Sequence, residues 1–323
     1  MFFVPASIDE DGSVTADYDT SWGGDTAYVE FGFSGATEEE TAGFNLTFAN
    51  KTAFADLGNF DVEEASVWVS PLDGLTAGIG YGSDIDWSES EGFGGRDFAR
   101  NLLGNCDTAA YTFDEVSNSV NSWVEYTMGG FMTAAQVGVD DADAIDTVDL
   151  FAWGDYFIGY SIENIGTIKA AFFGNSAAAD RYAQAQFSLA AVDNLGLKLS
   201  GAIPVSPDDA DYTAKINLAG SYAMNAATIH YYALETVADT NVFAAGLGFD
   251  YALTDTLTSV NDIRTYITDA DTADSGDEDA IAGTIGVKKA FGSCEAGVAV
   301  QGNYNFETSG YEVGIPLMIT ISL

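Results

Sequence analysis

Strict alternation of apolar side chains is the feature that most constrains this chain. From Tyr311 to Leu323 every second residue is apolar, and the residues between are mostly small or polar. Because successive side chains of a β-strand point to opposite faces, this pattern predicts a strand with one wholly apolar face. The same alternation recurs at 27–33, 183–189, 212–222 and 294–301, while no segment of comparable length shows the apolar period of a helix. The chain is therefore predicted to be all-β.

The connections between these segments alternate between two kinds. One kind is short and built from residues that tolerate tight turns: Leu72-Asp73-Gly74, Met128-Gly129-Gly130, Asp193-Asn194, Met224-Asn225, Thr254-Asp255 and Phe291-Gly292. The other kind is longer and acidic, as at 140–147, 206–211 and 268–279. Transmembrane β-barrels have this asymmetry, with short turns at one rim and longer loops at the other. The pattern predicts a transmembrane antiparallel meander β-barrel.

The number of strands sets the size of that barrel. We count about eighteen, with sixteen as the alternative, which suits a single barrel domain spanning residues 1–323. An even count places both termini at one rim. The predicted strands are 12–19, 25–34, 41–49, 62–71, 74–82, 118–127, 131–139, 148–160, 167–174, 181–191, 195–203, 212–223, 226–235, 240–251, 255–265, 279–289, 293–304 and 310–323.

In a membrane barrel the apolar face of each strand meets lipid and the other face lines the interior, which stays filled with water at this strand number. Tyrosines near strand ends on the apolar face predict a girdle at the membrane interface: Tyr81, Tyr126, Tyr160, Tyr222, Tyr251, Tyr304 and Tyr311. The charged residues predicted to line the inner wall are Glu30, Glu64, Glu125, Lys198, Lys215, Lys288 and Glu295.

The charge balance narrows the function further. Asp and Glu number 50 against 10 Lys and Arg, giving a formal net charge of −40. Such a chain repels phosphates, so no nucleic-acid partner is expected. The acidity fits either a soluble protein of a saline habitat or a channel with an acidic mouth. No stretch reaches the ~20 apolar residues of a transmembrane helix. No signal peptide is recognisable at the start, and we interpret the sequence as beginning near a processed end.

Catalytic chemistry is poorly represented. His230 is the only histidine, which excludes a histidine metal cluster, and no hydrolase or nucleotide-binding motif accompanies it, so the chain is not predicted to be an enzyme. No cofactor is expected, although the acidic loop 269–279 could hold Ca²⁺ through carboxylates. Cys106 and Cys294 could form a disulfide in an oxidising compartment or remain two free thiols.

The segment from Ser83 to Ser117 stands apart because it shows no sustained alternation. By the strand count it follows the fifth strand and forms the third long loop. Loops of this length without strands are usually functional or disordered. Its centre, from Arg96 to Leu103, is predicted to form a short helix that ends at Gly104.

Taken together, the alternating strands, the two kinds of connection, the amphipathic last strand and the 83–117 loop resemble the trimeric porins of Gram-negative outer membranes. The resemblance implies that the loop folds into the barrel and narrows it, and that small hydrophilic solutes and cations cross there. It also implies a bacterial outer-membrane location, contact with lipid and a homotrimer. The final residue departs from the family, which typically ends in Phe, since it is Leu323. Carried over to this sequence, the constriction residues are Asp84, Asp86, Glu89, Glu91, Arg96, Asp97 and Arg100.

Three alternatives stay open at this point. The same barrel could serve as a structural or adhesive surface protein, or as a substrate-specific channel in which Trp68 and Trp123 stack against a sugar. A secreted, acidic β-protein that needs no membrane is the third. Conductance across a planar bilayer would separate a channel from the others.

Overall fold

The computed structural model consists almost entirely of β-strands and confirms the all-β prediction. It describes residues 2–17, 29–50, 61–81, 89–90, 98, 101–106, 111–113, 120–138, 153–174, 181–205, 213–238, 241–268 and 279–321. Within those ranges no helix is long and apolar enough to cross a membrane.

The strands follow one another along the chain with short gaps. The first eleven are β1 (Phe2–Asp9), β2 (Val14–Asp17), β3 (Val29–Ala36), β4 (Ala42–Asn50), β5 (Asp61–Leu72), β6 (Leu75–Tyr81), β7 (Glu89–Ser90), β8 (Tyr111–Phe113), β9 (Val120–Met128), β10 (Phe131–Gly138) and β11 (Asp155–Ile162). The others are β12 (Gly166–Phe173), β13 (Tyr182–Leu189), β14 (Leu195–Pro204), β15 (Ala214–Met224), β16 (Ala227–Val237), β17 (Val242–Ala252), β18 (Leu257–Thr268), β19 (Ala280–Phe291), β20 (Cys294–Asn305), β21 (Tyr311–Gly314) and β22 (Leu317–Ile321).

Sequence neighbours pair antiparallel from β3 to β20, except that β6 pairs directly with β9 across the long loop, and β21 and β22 both pair with β20. The small β7–β8 pair inside that loop forms a separate sheet. The first strand lies beside the last: Phe2 pairs with Met318, and Asp9 pairs with Glu312. This seam joins the two ends of the meander and places the start and the end of the described chain at the same rim, as expected.

Strand direction explains the strand count. β2 pairs antiparallel with β1. From β2 to β1, then to β22 and β20 and on through the neighbouring strands to β3, the strand direction reverses an even number of times. β2 and β3 therefore run in the same direction, and residues 18–28 between them lie outside the described part of the chain. If β2 and β3 are two parts of one strand, the wall has 18 strands; if they are separate strands, it has 19. The prediction of about eighteen is confirmed.

Two local predictions need correction. The predicted strands begin at residue 12 and omit β1, which pairs with β2 on one side and, on the other, with β21 and β22 at the opposite end of the chain. The alternation also predicts a single strand over 310–323, whereas the ladder breaks into β21 and β22 around Pro316, which has no N–H to donate. The Pro316 carbonyl still accepts from the Ala299 amide at 3.2 Å, so β20 continues along both pieces.

The predicted short turns are present, and they define one rim of the wall. Gly74, Gly129, Asn194, Asn225 and Gly292 all have positive φ, between 49° and 75°. Glycine and asparagine tolerate this conformation, which tight connections between antiparallel strands require. We call this edge the short-turn rim, and the opposite edge, from which the long connections leave, the loop rim.

The two faces of the wall have inverted polarity compared with a soluble sheet. On β19, Ile285 is 71% exposed, whereas its neighbour Thr284 is 1% exposed. The same contrast holds on β15, where Ile216 is exposed and Asn217 is buried. The predicted girdle tyrosines fall on the apolar side, and Tyr160 and Tyr251 are both exposed. A wall that shows apolar side chains outward and polar ones inward is a transmembrane barrel.

Candidate functional site

The inner face of the wall carries buried polar side chains beside buried apolar ones such as Phe157, Phe173 and Ala219. Gln136, Gln186, Asn217 and Gln301 are buried on this face. Gln136 donates from Nε2 to Oδ2 of Asp155 at 2.8 Å. Strand alternation positions these groups, because each one lies next to residues whose side chains face outward.

The described members of the predicted wall set all carry the parity of this inner face. Their flanking residues, such as Val124 beside Glu125, Leu199 beside Lys198 and Ile216 beside Lys215, are exposed outward. Glu64 accepts a hydrogen bond from Ser66 Oγ at 2.8 Å. Glu30 belongs to β3, but its side chain lies outside the described part of the structure.

Two residues of the predicted wall set form an ion pair that the sequence pattern did not predict. Lys288 of β19 and Glu295 of β20 approach with Nζ and Oε1 3.9 Å apart. A second inner-face pair joins Arg264 to Asp262 on β18, with Nε and Oδ1 3.3 Å apart and both side chains buried. The basic groups of this part of the wall are therefore each matched by a carboxylate.

Most of the predicted constriction residues lie outside the described part of the chain. Asp84, Asp86, Glu91, Arg96, Asp97 and Arg100 lie outside the described residues. Glu89 is described only through its backbone, which pairs with Phe113 in the β7–β8 ribbon. Their predicted placement at a narrowing therefore stays a prediction.

Within the 83–117 segment, the structure describes the residues that attach it to the wall. Phe98, Leu102, Leu103 and Cys106 have no exposed surface. The segment leaves the wall at β6 and returns at β9, yet residues 101–106 pack against β18, β19, β20 and β21. The β8 strand lies instead near β13, β14 and β15. The segment thus reaches parts of the inner wall far from its own origin.

Phe98 sits in a notch made by two glycines. A β-carbon at Gly286 or at Gly297 would come within 2.8 Å of the Phe98 ring, so only glycine leaves room for it. Val260, Ala299 and Met318 complete the apolar surroundings of the ring. Nζ of Lys288 lies 5.2 Å from the ring centroid, a distance at which a cation is attracted to an aromatic face.

A second contact follows a few residues later. Leu103 and Cys106 pack on Ala280 and Ala282 of β19. The Asn303 side chain donates from Nδ2 to the Leu102 carbonyl at 3.3 Å. We call Phe98, Leu102, Leu103 and Cys106 together the loop anchor. Small residues on the inner wall leave the space that these larger side chains fill.

The sequence pattern did not predict the loop anchor. A helix was predicted from Arg96 to Leu103 with Gly104 as its end, whereas the structure has a 3₁₀ turn over Asn101–Cys106 that contains Gly104 at φ 54°. The available signal was a set of large apolar residues within an acidic loop. Its partners, the inner-face glycines and alanines of β19 and β20, are separated from it by most of the chain.

The two cysteines are free thiols in different surroundings. Cys294 is half-buried at the start of β20, whereas Cys106 lies in the loop anchor and donates from Sγ to the Arg264 carbonyl at 3.9 Å. Burial raises the pKa of the Cys106 thiol to about 11, and the positive charge of Arg264 offsets only part of that rise.

These surroundings predict unequal reactivity. Since the thiolate is the nucleophile, at about pH 8 a membrane-permeant maleimide should modify Cys294 readily and Cys106 at least about tenfold more slowly. Raising the pH toward the Cys106 pKa should narrow the difference. Mass spectrometry of peptides from detergent-solubilised protein gives both rates. Equal labelling of the two cysteines near neutral pH would show that the loop anchor is not seated.

His230 stands on the inner face of β16 and contacts Asp250 of β17, with Nε2 and Oδ2 3.1 Å apart. Within the described ranges no group of three or more His, Cys, Asp or Glu side chains is placed to hold a metal ion. Most of the acidic loop 269–279 considered for Ca²⁺ lies outside those ranges, and Asp279 accepts a hydrogen bond from the Thr268 amide at 2.8 Å.

Comparison with solved structures gives a consistent fold. A variant of the porin of Rh. blastica matches with a TM-score of 0.53 and 15% identity, covering 99% of this chain and 97% of that chain. A second variant of that porin matches with a TM-score of 0.54 and 14% identity over the same shares. A loop-deleted form of OmpT, an outer membrane protein of Vibrio cholerae, has 14% identity and a TM-score of 0.46 over 98% of this chain and 97% of that chain.

No protein-family model matches the sequence, and no curated protein matches it. At the identities found, the likeness concerns the fold. This chain has a porin-like β-barrel fold, and the predicted resemblance is confirmed at the level of the fold.

Proposed function

We propose that this protein forms a water-filled channel in a bacterial outer membrane, through which small hydrophilic solutes and cations cross by passive diffusion. The observation that carries the proposal is the inverted polarity of the wall: Ile285 and Ile216 point outward, while Thr284 and Asn217 are buried on the inner face. An outer apolar band suits lipid, and a polar interior suits water. Its fold neighbours are porins rather than enzymes.

The size of the barrel supports a channel rather than a packed core. A barrel of 18 or 19 strands encloses more space than its own inner side chains fill. The loop anchor holds part of the 83–117 segment against the inner wall. In this proposal the remainder of that segment narrows the passage, and the opposing wall residues, including Lys198 and Lys215, face it.

The charge of the chain is the basis for the proposed preference for cations over anions. A formal net charge of −40 draws cations toward the openings of the barrel and repels anions. The inner-face cations Lys288 and Arg264 are each paired with a carboxylate and so contribute little uncompensated positive charge. The proposal includes assembly as a homotrimer. Small outward residues such as Ala183 and Ala185 on β13 offer a flat surface for a neighbouring subunit.

Solute diffusion can be measured directly. Liposomes that contain the purified protein should swell in isotonic solutions of small sugars, and the rate should fall steeply as the solute grows. A structural or adhesive surface protein built on the same barrel would leave the liposomes as impermeable as protein-free ones. That outcome would reject the channel.

Neutralising the loop acids should weaken cation preference. Replacing Asp84, Asp86, Glu89 and Glu91 by their amides removes negative charge from the proposed narrowing, so the cation-to-anion permeability ratio should fall by about twofold or more. Reversal potentials under a salt gradient measure that ratio.

A matched control removes the same number of carboxylates from another loop. Replacing Asp271, Asp274, Asp277 and Glu278 by amides should change the reversal potential less. If both sets shift the reversal potential equally, the 83–117 segment has no special role in selectivity.

A further inference from the structure

Two tryptophans stand close together on the inner wall. Trp68 of β5 pairs with Gly78 of β6, and Gly78 pairs in turn with Trp123 of β9. The neighbours Val67, Val69 and Val124 are exposed outward, so both indoles face the interior. With adjacent strands about 4.8 Å apart, the two tryptophan backbones are separated by roughly 10 Å.

Glycines make room for both rings. A β-carbon at Gly43 would come within 2.5 Å of the Trp68 indole, and a β-carbon at Gly78 would come equally close to the Trp123 indole. Each ring therefore leans over the strand that precedes its own in the wall, in the same direction. Any larger residue at either glycine would push the ring away from the wall, so the sequence fixes the position of both indoles.

Both indoles line one cavity of about 740 Å³. Four of its other lining residues carry uncharged hydrogen-bonding side chains, Ser34, Asn45, Ser70 and Thr76, and Ala36 and Phe44 add apolar surface. Glu40 contributes a carboxylate, and no basic residue is among the described lining residues. Ser70 and Thr76 flank the turn at 73–74, so the cavity opens near the short-turn rim.

We propose that this cavity is a saccharide-binding subsite of the channel. The apolar face of a sugar ring packs on an indole, while hydroxyl and amide side chains satisfy the sugar hydroxyls. Two indoles about 10 Å apart suit a short linear oligosaccharide rather than a single ring. The carboxylate and the lack of basic groups disfavour an anionic ligand. The inference rests on the proposed function, since it names a solute class for the same channel.

Calorimetric titration of the detergent-solubilised protein with a linear glucose trisaccharide tests the subsite. The wild-type protein should bind the sugar saturably. Trp68→Ala and Trp123→Ala should each weaken binding by about tenfold, because each removes one stacking surface. Trp68→Phe keeps an aromatic ring and should retain most of the affinity. Trp153→Ala, a tryptophan outside the cavity, should bind as the wild type does.

Three results would overturn the subsite: no saccharide binding by the wild type, equal binding by the alanine variants, or binding of tetramethylammonium in place of the sugar through cation–π attraction to the indoles. Because calorimetry does not depend on conductance, the two proposals fail separately. A conducting protein that binds no saccharide keeps the channel and loses the subsite. A protein that binds saccharide without conducting keeps the subsite and loses the channel.

Discussion

Replacing Phe98 with alanine is expected to raise the conductance of a single open channel and to make the current noisier. The Phe98 ring is fully buried in the notch between Gly286 and Gly297 and holds the 83–117 segment against the wall. Truncating a buried phenylalanine removes roughly 3–5 kcal/mol of packing. That loss falls on the seating of the loop rather than on the strand ladders, so the segment should leave its seat while the barrel stays folded.

A change on the other side of the same contact gives an independent test. Gly286→Val places a side chain where the Phe98 ring lies and should reproduce the effect of Phe98→Ala. Phe33→Ala is the control, because Phe33 points outward from β3 and is 58% exposed. Unchanged conductance and noise in both notch variants would mean that the loop anchor does not restrict the passage.

Introducing a lysine on the outer face should destabilise the barrel far more than removing the neighbouring lysine from the inner face. Leu199 is exposed outward near the middle of β14, beside the inward Lys198. A lysine at the bilayer midplane of a transmembrane barrel costs about 2–4 kcal/mol. Leu199→Lys should therefore lower the free energy of unfolding by that amount, as measured by urea titration of the protein in lipid vesicles.

The control for this variant lies on the same strand. Lys198→Gln removes a charge from the inner face and should change the free energy of unfolding by less than about 1 kcal/mol, since water screens charges there. If Leu199→Lys were as stable as the wild type, the outer face of β14 would not be in contact with lipid.

Local pattern predicted most of the wall, because alternation is a property of each strand alone. The weakly patterned segment 255–265 is indeed a strand, β18, which runs from Leu257 to Thr268. β1 could not be found in this way: it contains Pro5, and on one side it is held by residues 312–318 at the far end of the chain. Its position depends on pairing that no local pattern reports.

The features of the candidate site also differ in whether they follow from local pattern or from contacts between distant residues. The inner orientation of Glu125 and Lys198 follows from parity, so it was accessible to sequence reasoning. The seat of Phe98 was not, because the ring and its two glycines are separated by almost 200 residues and meet only through docking of the loop. The Trp68 and Trp123 pair lies between these cases: parity placed both indoles inside, but only the β5–β6–β9 register brings them into one cavity.

Electrical recording of the purified protein in planar lipid bilayers tests the central claim most directly. A water-filled barrel that admits small cations should produce discrete, uniform conductance steps, with a reversal potential displaced toward the cation equilibrium potential under a salt gradient. A membrane-inserted, folded protein that stays electrically silent at every voltage and salt concentration would contradict the account.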